Sequence, residues 1–297
     1  MFMSKYSNIA IVSSFFCLWL DSYLSHNYQL LLGFLFIFTF GILHGANDIV
    51  LVKTLNISQN NISFLKILMY YVAIVGLGVI SFYLFPLIAL VLFIIVSGYH
   101  FGEQQWQCLV DLDKNKLKVG FQIIYGIFIL FLLFNFHQIE VQKIVQEITE
   151  VKIPIIYISI LLKVFGILLF AILLYLYVYV ENLRKQILLE IFYLLVFTII
   201  FISSSLIWGF AIFFIIWHSI PSMLDQMKFL YLDVNFNNFK LYFKSAFIYW
   251  IVSLFGIAML YYIFKDEKIF NALFFSFLAA ITFPHALVIL KMFKQKI

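Results

Sequence analysis

Ten long apolar runs constrain this chain more than anything else in it. They cover about 8–24, 28–52, 64–83, 86–107, 119–136, 153–180, 187–203, 205–227, 243–264 and 269–292. A helix needs about 20 apolar residues to cross the hydrocarbon layer of a bilayer. Of the 297 residues, 65% are apolar and 11% are charged. One aqueous core cannot hide that much apolar surface. The chain is therefore expected to be all-α, a polytopic transmembrane helix bundle of about 8–10 spans forming one membrane domain over 1–297. The run at 153–180 is long for a single crossing. Its first part, up to Lys163, is expected to lie along the interface, where the lysine can reach the headgroups. Polar linkers at 57–62, 111–116 and 228–242 separate other runs.

Charge placement sets an expected orientation, because Lys and Arg stay in cytoplasmic loops. With the N-terminus inside and the runs alternating, fourteen of the 19 basic residues fall inside. Lys143, Lys152, Lys265 and Lys268 fall outside, and Lys163 lies within a run. The net charge of +5 is scattered, with no dense basic cluster to bind nucleic acid. Cys17 and Cys108 are isolated and form no CxxC, so neither a disulfide framework nor a zinc knuckle is implied.

The six histidines then divide in two. His26 and His137 fall in outside loops, where a solvated imidazole needs no special explanation. His44, His100, His218 and His285 fall in the second, fourth, eighth and tenth runs, which all cross from outside to inside. Each lies roughly seven to nine residues before the inner end, about 10–13 Å along the axis. Ionisable groups at membrane depth are costly and mark functional sites. A single intramembrane histidine can serve simply as an interhelical hydrogen-bonding residue. Four at one depth point to a shared metal or cofactor site.

Their neighbours fit that reading. Asp48 follows His44 by four residues, and Glu103 and Gln104 follow His100 by three and four. On a continuous helix such pairs share a face. A metal-bound imidazole usually gives its second N–H to a carboxylate or carbonyl, so Asp48 and Glu103 are candidate supports for the ligands. Asp225 follows His218 by seven residues. Gly45 and Gly102 allow close backbone approach, whereas Pro221 and Pro284 are expected to kink or unwind their spans. All-imidazole ligation suits iron, copper or zinc. Two facing histidine pairs would also suit haem, as in a membrane electron-transfer protein. Intramembrane His and Asp would equally serve a proton-coupled transporter. The sequence contains no HExxH motif, no paired histidine boxes of a membrane desaturase and no DxxxD pair.

Four blocks, HGANDIVL at 44–51, SGYHFGEQQ at 97–105, WHSIPSM at 217–223 and FPHALVIL at 283–290, carry a resemblance. In that order they resemble the bacteriorhodopsin-related (Brp/Blh) family of β-carotene 15,15′-dioxygenases. The resemblance implies a multi-pass enzyme of the bacterial inner membrane with a histidine-held iron(II). Such an enzyme uses O₂ to split β-carotene at its central double bond into two retinals. His44 and His100 match family iron ligands, and His218 matches the first histidine of a WHxxxH block. Ser222 stands where that block has its second histidine, so His285 is the expected substitute. Tyr99, Phe101, Trp106 and Trp217 are candidate walls of a polyene tunnel. The charge bias predicts both termini in the cytoplasm. A periplasmic reporter fused after Ile297 should stay silent and one within 137–152 should be active; an active C-terminal fusion would overturn the ten-run reading.

Overall fold

Apolar residues with few helix breakers fold as helices wherever the sequence places a run. This is seen in a computed structural model that describes residues 2–57, 63–107, 115–263 and 267–295. Among these residues the regular structure is entirely helical. The elements are α1 (Phe2–Asp21), α2 (His26–Phe36), a π-helical segment (Ile37–Gly41), α3 (Ile42–Gly45), α4 (Asp48–Ile57), α5 (Phe64–Leu84) and α6 (Pro86–Gln105). Then come α7 (Asn115–Phe136), α8 (Gln138–Thr149), α9 (Ile156–Tyr179) and α10 (Arg184–Ser203). Last are α11 (Leu206–Ile212), a second π-helical segment (Phe213–Ser219), α12 (Ile220–Tyr231), α13 (Phe236–Ile263) and α14 (Glu267–Gln295). Most of the linkers at 57–62 and 111–116, and Cys108, lie outside the described residues.

Nine helical stretches among the described residues are long and apolar enough to cross a membrane, the first beginning at His26. They correspond to nine of the ten runs, as expected for a multi-pass membrane protein. The remaining run, 8–24, belongs to α1, which is not among the nine. Three bonds nevertheless lay α1 along α11 and the π-helical segment that follows it. Tyr6 Oη donates to the Ile216 carbonyl, Trp217 Nε1 to Ser14 Oγ at 2.9 Å, and Trp208 Nε1 to the Cys17 carbonyl at 3.4 Å. Large apolar side chains face outward on the spans, with Ile167 70% and Phe255 69% exposed. Such surfaces are suited to lipid rather than water.

Two expectations change. The 153–180 run holds one unbroken helix from Ile156 to Tyr179, so the segment before Lys163 does not fold as a separate interfacial piece. With no proline after Pro154 in this run, nothing interrupts its hydrogen-bond ladder, and Lys163 is an exposed residue of the span. The loop at 137–152 contains α8, whose apolar and charged residues separate onto opposite faces. His137 is likewise not simply solvated. Its Nε2 lies 3.0 Å from the Phe201 carbonyl near the end of α10, and burial lowers its pKa.

The chain divides into two compact units. The first comprises Met1–Ile37, Gly98–Lys143 and Ile153–His218. Within it α7 packs on α9 and α10, and α11 packs on α2. Gly98 and Gly102, which flank His100 on α6, meet α7 backbone to backbone. A Cβ at Gly102 would collide with the Gln122 carbonyl, and one at Gly126 with the Gly98 carbonyl. This is the close approach that small residues four apart permit between membrane helices. The second unit comprises Phe38–Ser97, Ile144–Lys152 and Ser219–Ile297. Here α14 packs on α4 and α5, and α13 packs on α3, α12 and α14. Leu51, Ile289 and Met292 form one fully buried cluster, while Ala279 and Ala89 pack with Phe82 in another.

Gly102→Ala should cost about 1–3 kcal/mol by forcing α6 off α7. At Gly45 an added Cβ would meet the His285 ring no closer than 3.5 Å, an ordinary contact. Thermal unfolding in detergent should therefore show a clear loss for Gly102→Ala and little for Gly45→Ala. Equal stability of the two variants would contradict the packing.

Candidate metal centre

Each unit contains a pair of buried histidines. In the second unit His44 lies in the last turn of α3 and His285 lies in α14, one residue after Pro284. Their rings meet edge to face, with centroids 4.7 Å apart and planes at 89°. In the first unit His100 of α6 meets His218 of the second π segment, with centroids 4.5 Å apart and planes at 79°. All four side chains are buried, at 5%, 3%, 2% and 1% exposure in the order His44, His285, His100, His218.

Local chain geometry explains how the His44 ring is aimed. The π segment at 37–41 adds a residue per turn ahead of it, and π-helical turns recur at functional sites. The helix then breaks at Ala46 and Asn47 before α4 begins at Asp48. His44 Nδ1 hydrogen-bonds the Gly41 carbonyl. Because a carbonyl only accepts, the proton is on Nδ1 and the lone pair is on Nε2. His285 is also bonded through Nδ1, which lies 2.7 Å from Asp48 Oδ1. Asp48 is 1% exposed, and its other oxygen, Oδ2, accepts from Tyr71 Oη at 2.9 Å. A ring whose Nδ1–H is held by a carbonyl or carboxylate is in the state of a metal-ligating histidine, with Nε2 as the donor atom.

His218 is fixed by aromatic neighbours. Phe214 stacks on it with centroids 5.6 Å apart and planes at 16°, and Phe101 meets it edge-on at 4.7 Å. Its π segment runs directly into α12, with Pro221 in the first turn of that helix. Pro284, by contrast, is carried inside the continuous helix α14. Three of the buried histidines, His44, His100 and His285, have ring nitrogens of the kind that could hold a metal ion.

A family model described as beta-carotene 15,15'-dioxygenase matches residues 35–293, which include all four histidines. The chain belongs to the β-carotene 15,15′-dioxygenase family. No curated protein and no solved structure matches it.

In this family member the acidic residues are placed differently from the expectation. Asp48 supports His285, 237 residues away in sequence, while His44 leans on Gly41. The i,i+4 pairing of His44 with Asp48 assumes a continuous helix, which the break at 46–47 removes. Glu103 Oε1 accepts from Tyr99 Oη at 2.7 Å, which ties that tyrosine to a carboxylate. Trp217 packs on Phe197 at 4.9 Å and donates to Ser14. Trp106 is fully buried against Phe121 and Tyr125. On α12 Gln226 is fully buried, whereas Asp225 is only partly so. Tyr71 and Gln226 were not among the sequence candidates. A tyrosine or glutamine in an apolar run becomes a signal only once its helix face is known.

The Tyr71 hydroxyl is one of two described donors to a buried carboxylate, and a hydrogen bond to a charged group contributes about 1.5–3 kcal/mol. Tyr71→Phe should lower stability by that amount in chemical or thermal unfolding. An unchanged midpoint would show that the bond to Asp48 does not form.

Proposed function

We propose that the chain is a membrane-embedded iron(II) oxygenase that cleaves β-carotene at the 15,15′ double bond. His44, His100, His218 and His285 would hold the metal, with Asp48 and Glu103 in support. The observation that carries this reading is the Nδ1 state of His44 and His285. Both rings are set to offer Nε2 as donor, in a chain whose family is named for this reaction. Bound iron(II) supplies the redox chemistry that lets O₂ react with a polyene. The stoichiometry closes without another reductant. The central C=C bond breaks and each oxygen atom ends in one of two retinal aldehydes.

The chain's own residues do the rest. Neutral imidazoles leave the charge of the metal intact, and the carboxylate on His285 Nδ1–H strengthens that ring as a donor. β-Carotene dissolves in the hydrocarbon layer, so a site within the spans receives it from lipid without desolvating polar groups. The aromatic surface of Phe101 and Phe214 beside His218 suits a flat polyene and excludes water. Tyr99, which bonds Glu103, and Trp217, which braces the segment that carries His218, are proposed as further walls of the polyene site. A bacterial inner membrane is the proposed location.

Expression in bacteria that accumulate β-carotene should bleach the pigment and yield retinal, and His44→Ala or His218→Ala should prevent it. Unchanged pigment under good expression and iron supply would sink the substrate reading. His285→Ala should also lose iron from the purified protein. A full iron complement in that variant would remove His285 from the ligand set.

A further inference from the structure

The break after His44 leaves main-chain groups that a continuous helix would satisfy itself. In lipid no water can replace them, so other parts of the protein must. The His44 carbonyl accepts from Gln226 Nε2 at 2.8 Å and lies 3.4 Å from Tyr242 Oη. Those two side chains are also joined, with Tyr242 Oη donating to Gln226 Oε1 at 2.8 Å. Gln226 Nε2 reaches Ser222 Oγ at 3.2 Å as well. Ser222, Gln226 and Tyr242 are each 0% exposed. The other end of the break is held from the same side. Asn47 Nδ2 donates to the Tyr242 carbonyl at 3.0 Å, and Ser245 Oγ donates to Asn47 Oδ1 at 2.8 Å.

We propose that Gln226 and Tyr242 are positioning residues for the His44 imidazole, completing the broken helix so that His44 Nε2 is held in one place for a metal. The proposal rests on the reading of His44 as a ligand. The chemistry requires an amide at 226. Its N–H₂ faces a carbonyl while its carbonyl oxygen takes the tyrosine hydroxyl, so both ends are used. A carboxylate there would turn an oxygen toward the His44 carbonyl, and an apolar side chain would strand that carbonyl in a dry interior. Ser222, at the position where the family block has a second histidine, is used here as a secondary acceptor for Gln226. α12 thus contributes to the site by fixing the backbone of His44.

Cobalt(II) is a suitable probe, since its visible spectrum reports ligand geometry independently of turnover. Full-length protein would be purified in detergent, stripped of metal and titrated with cobalt(II). Gln226→Leu and Gln226→Glu should weaken cobalt binding about 10–100-fold, the range for residues that orient ligands, and should shift its absorption bands. Tyr242→Phe keeps the Gln226 bond to His44 and should do less. The Gln226→Leu/Tyr242→Phe double variant should be no worse than Gln226→Leu, because both act through one network. Ser222→Ala should stay close to wild type. If Gln226→Leu folds and binds cobalt with wild-type affinity and spectrum, the proposal is overturned. If it does not fold, Tyr242→Phe decides: shifted bands support the positioning role and unshifted bands reject it. His44→Ala separates the two levels. Undiminished cobalt binding there rejects His44 as a ligand, whereas lost binding with a normal Gln226→Leu rejects only the positioning role.

Discussion

Every polar main-chain group placed in hydrocarbon must find its partner inside the protein. That constraint organises this chain beyond making it helical. Where α3 stops at Gly45 and α4 starts at Asp48, the ladder is interrupted at membrane depth, and side chains from α12 and α13 close it. The same interruption turns the chain so that His44 bonds backward to Gly41 while Asp48 faces α14. A regular helix would have stacked His44 and Asp48 on one face and left His285 without its carboxylate. The irregular backbone is therefore the means by which two imidazoles from distant segments are brought ring to ring, each bonded through Nδ1.

The spans could be read in the sequence because they depend on composition and on length, which a bilayer converts directly into structure, and the four histidines within them are all buried. The supports around the histidines could not be read so easily, and the reasons are specific. Pairing Asp48 with His44 relies on 100° per residue, and both a π segment and a two-residue break lie close to that stretch. Choosing Asp225 over Gln226 on α12 follows charge, whereas burial selects the neutral amide that can both donate and accept. Tyr71 lies among apolar neighbours and declares itself only through a partner on another helix. Gly102, in contrast, was readable as a point of close approach, and the Gln122 carbonyl fills the space its missing side chain leaves.

The departure from the family block at Ser222 takes on a different meaning in this setting. The serine at 222 would be a deficit if the stretch from His218 into α12 had to supply two ligands. In this chain α12 supplies the amide that completes the His44 turn, and His285 on α14 stands 4.7 Å from His44 with its own carboxylate behind it. The donor set proposed for the metal then comes from four separate spans, each with one histidine. Such a set depends more heavily on helix packing than one with two ligands on a single helix turn. Glycine contacts as close as those of α6 on α7 are consistent with that dependence.

Charge supplies the remaining step. Asp48 is a carboxylate with 1% exposure whose described donors, Tyr71 Oη and His285 Nδ1, are a neutral hydroxyl and a ring N–H. Hydrogen bonds alone offset only part of the cost of an anion in a medium of low dielectric, and a nearby positive charge offsets more. A divalent ion on Nε2 of His285 would place that charge across the same imidazole, with the carboxylate on one side of the ring and the metal on the other. Asp48 would then be the counter-charge that strengthens the metal's ligand. On the proposed reading, metal binding and the burial of Asp48 are coupled, and each lowers the cost of the other.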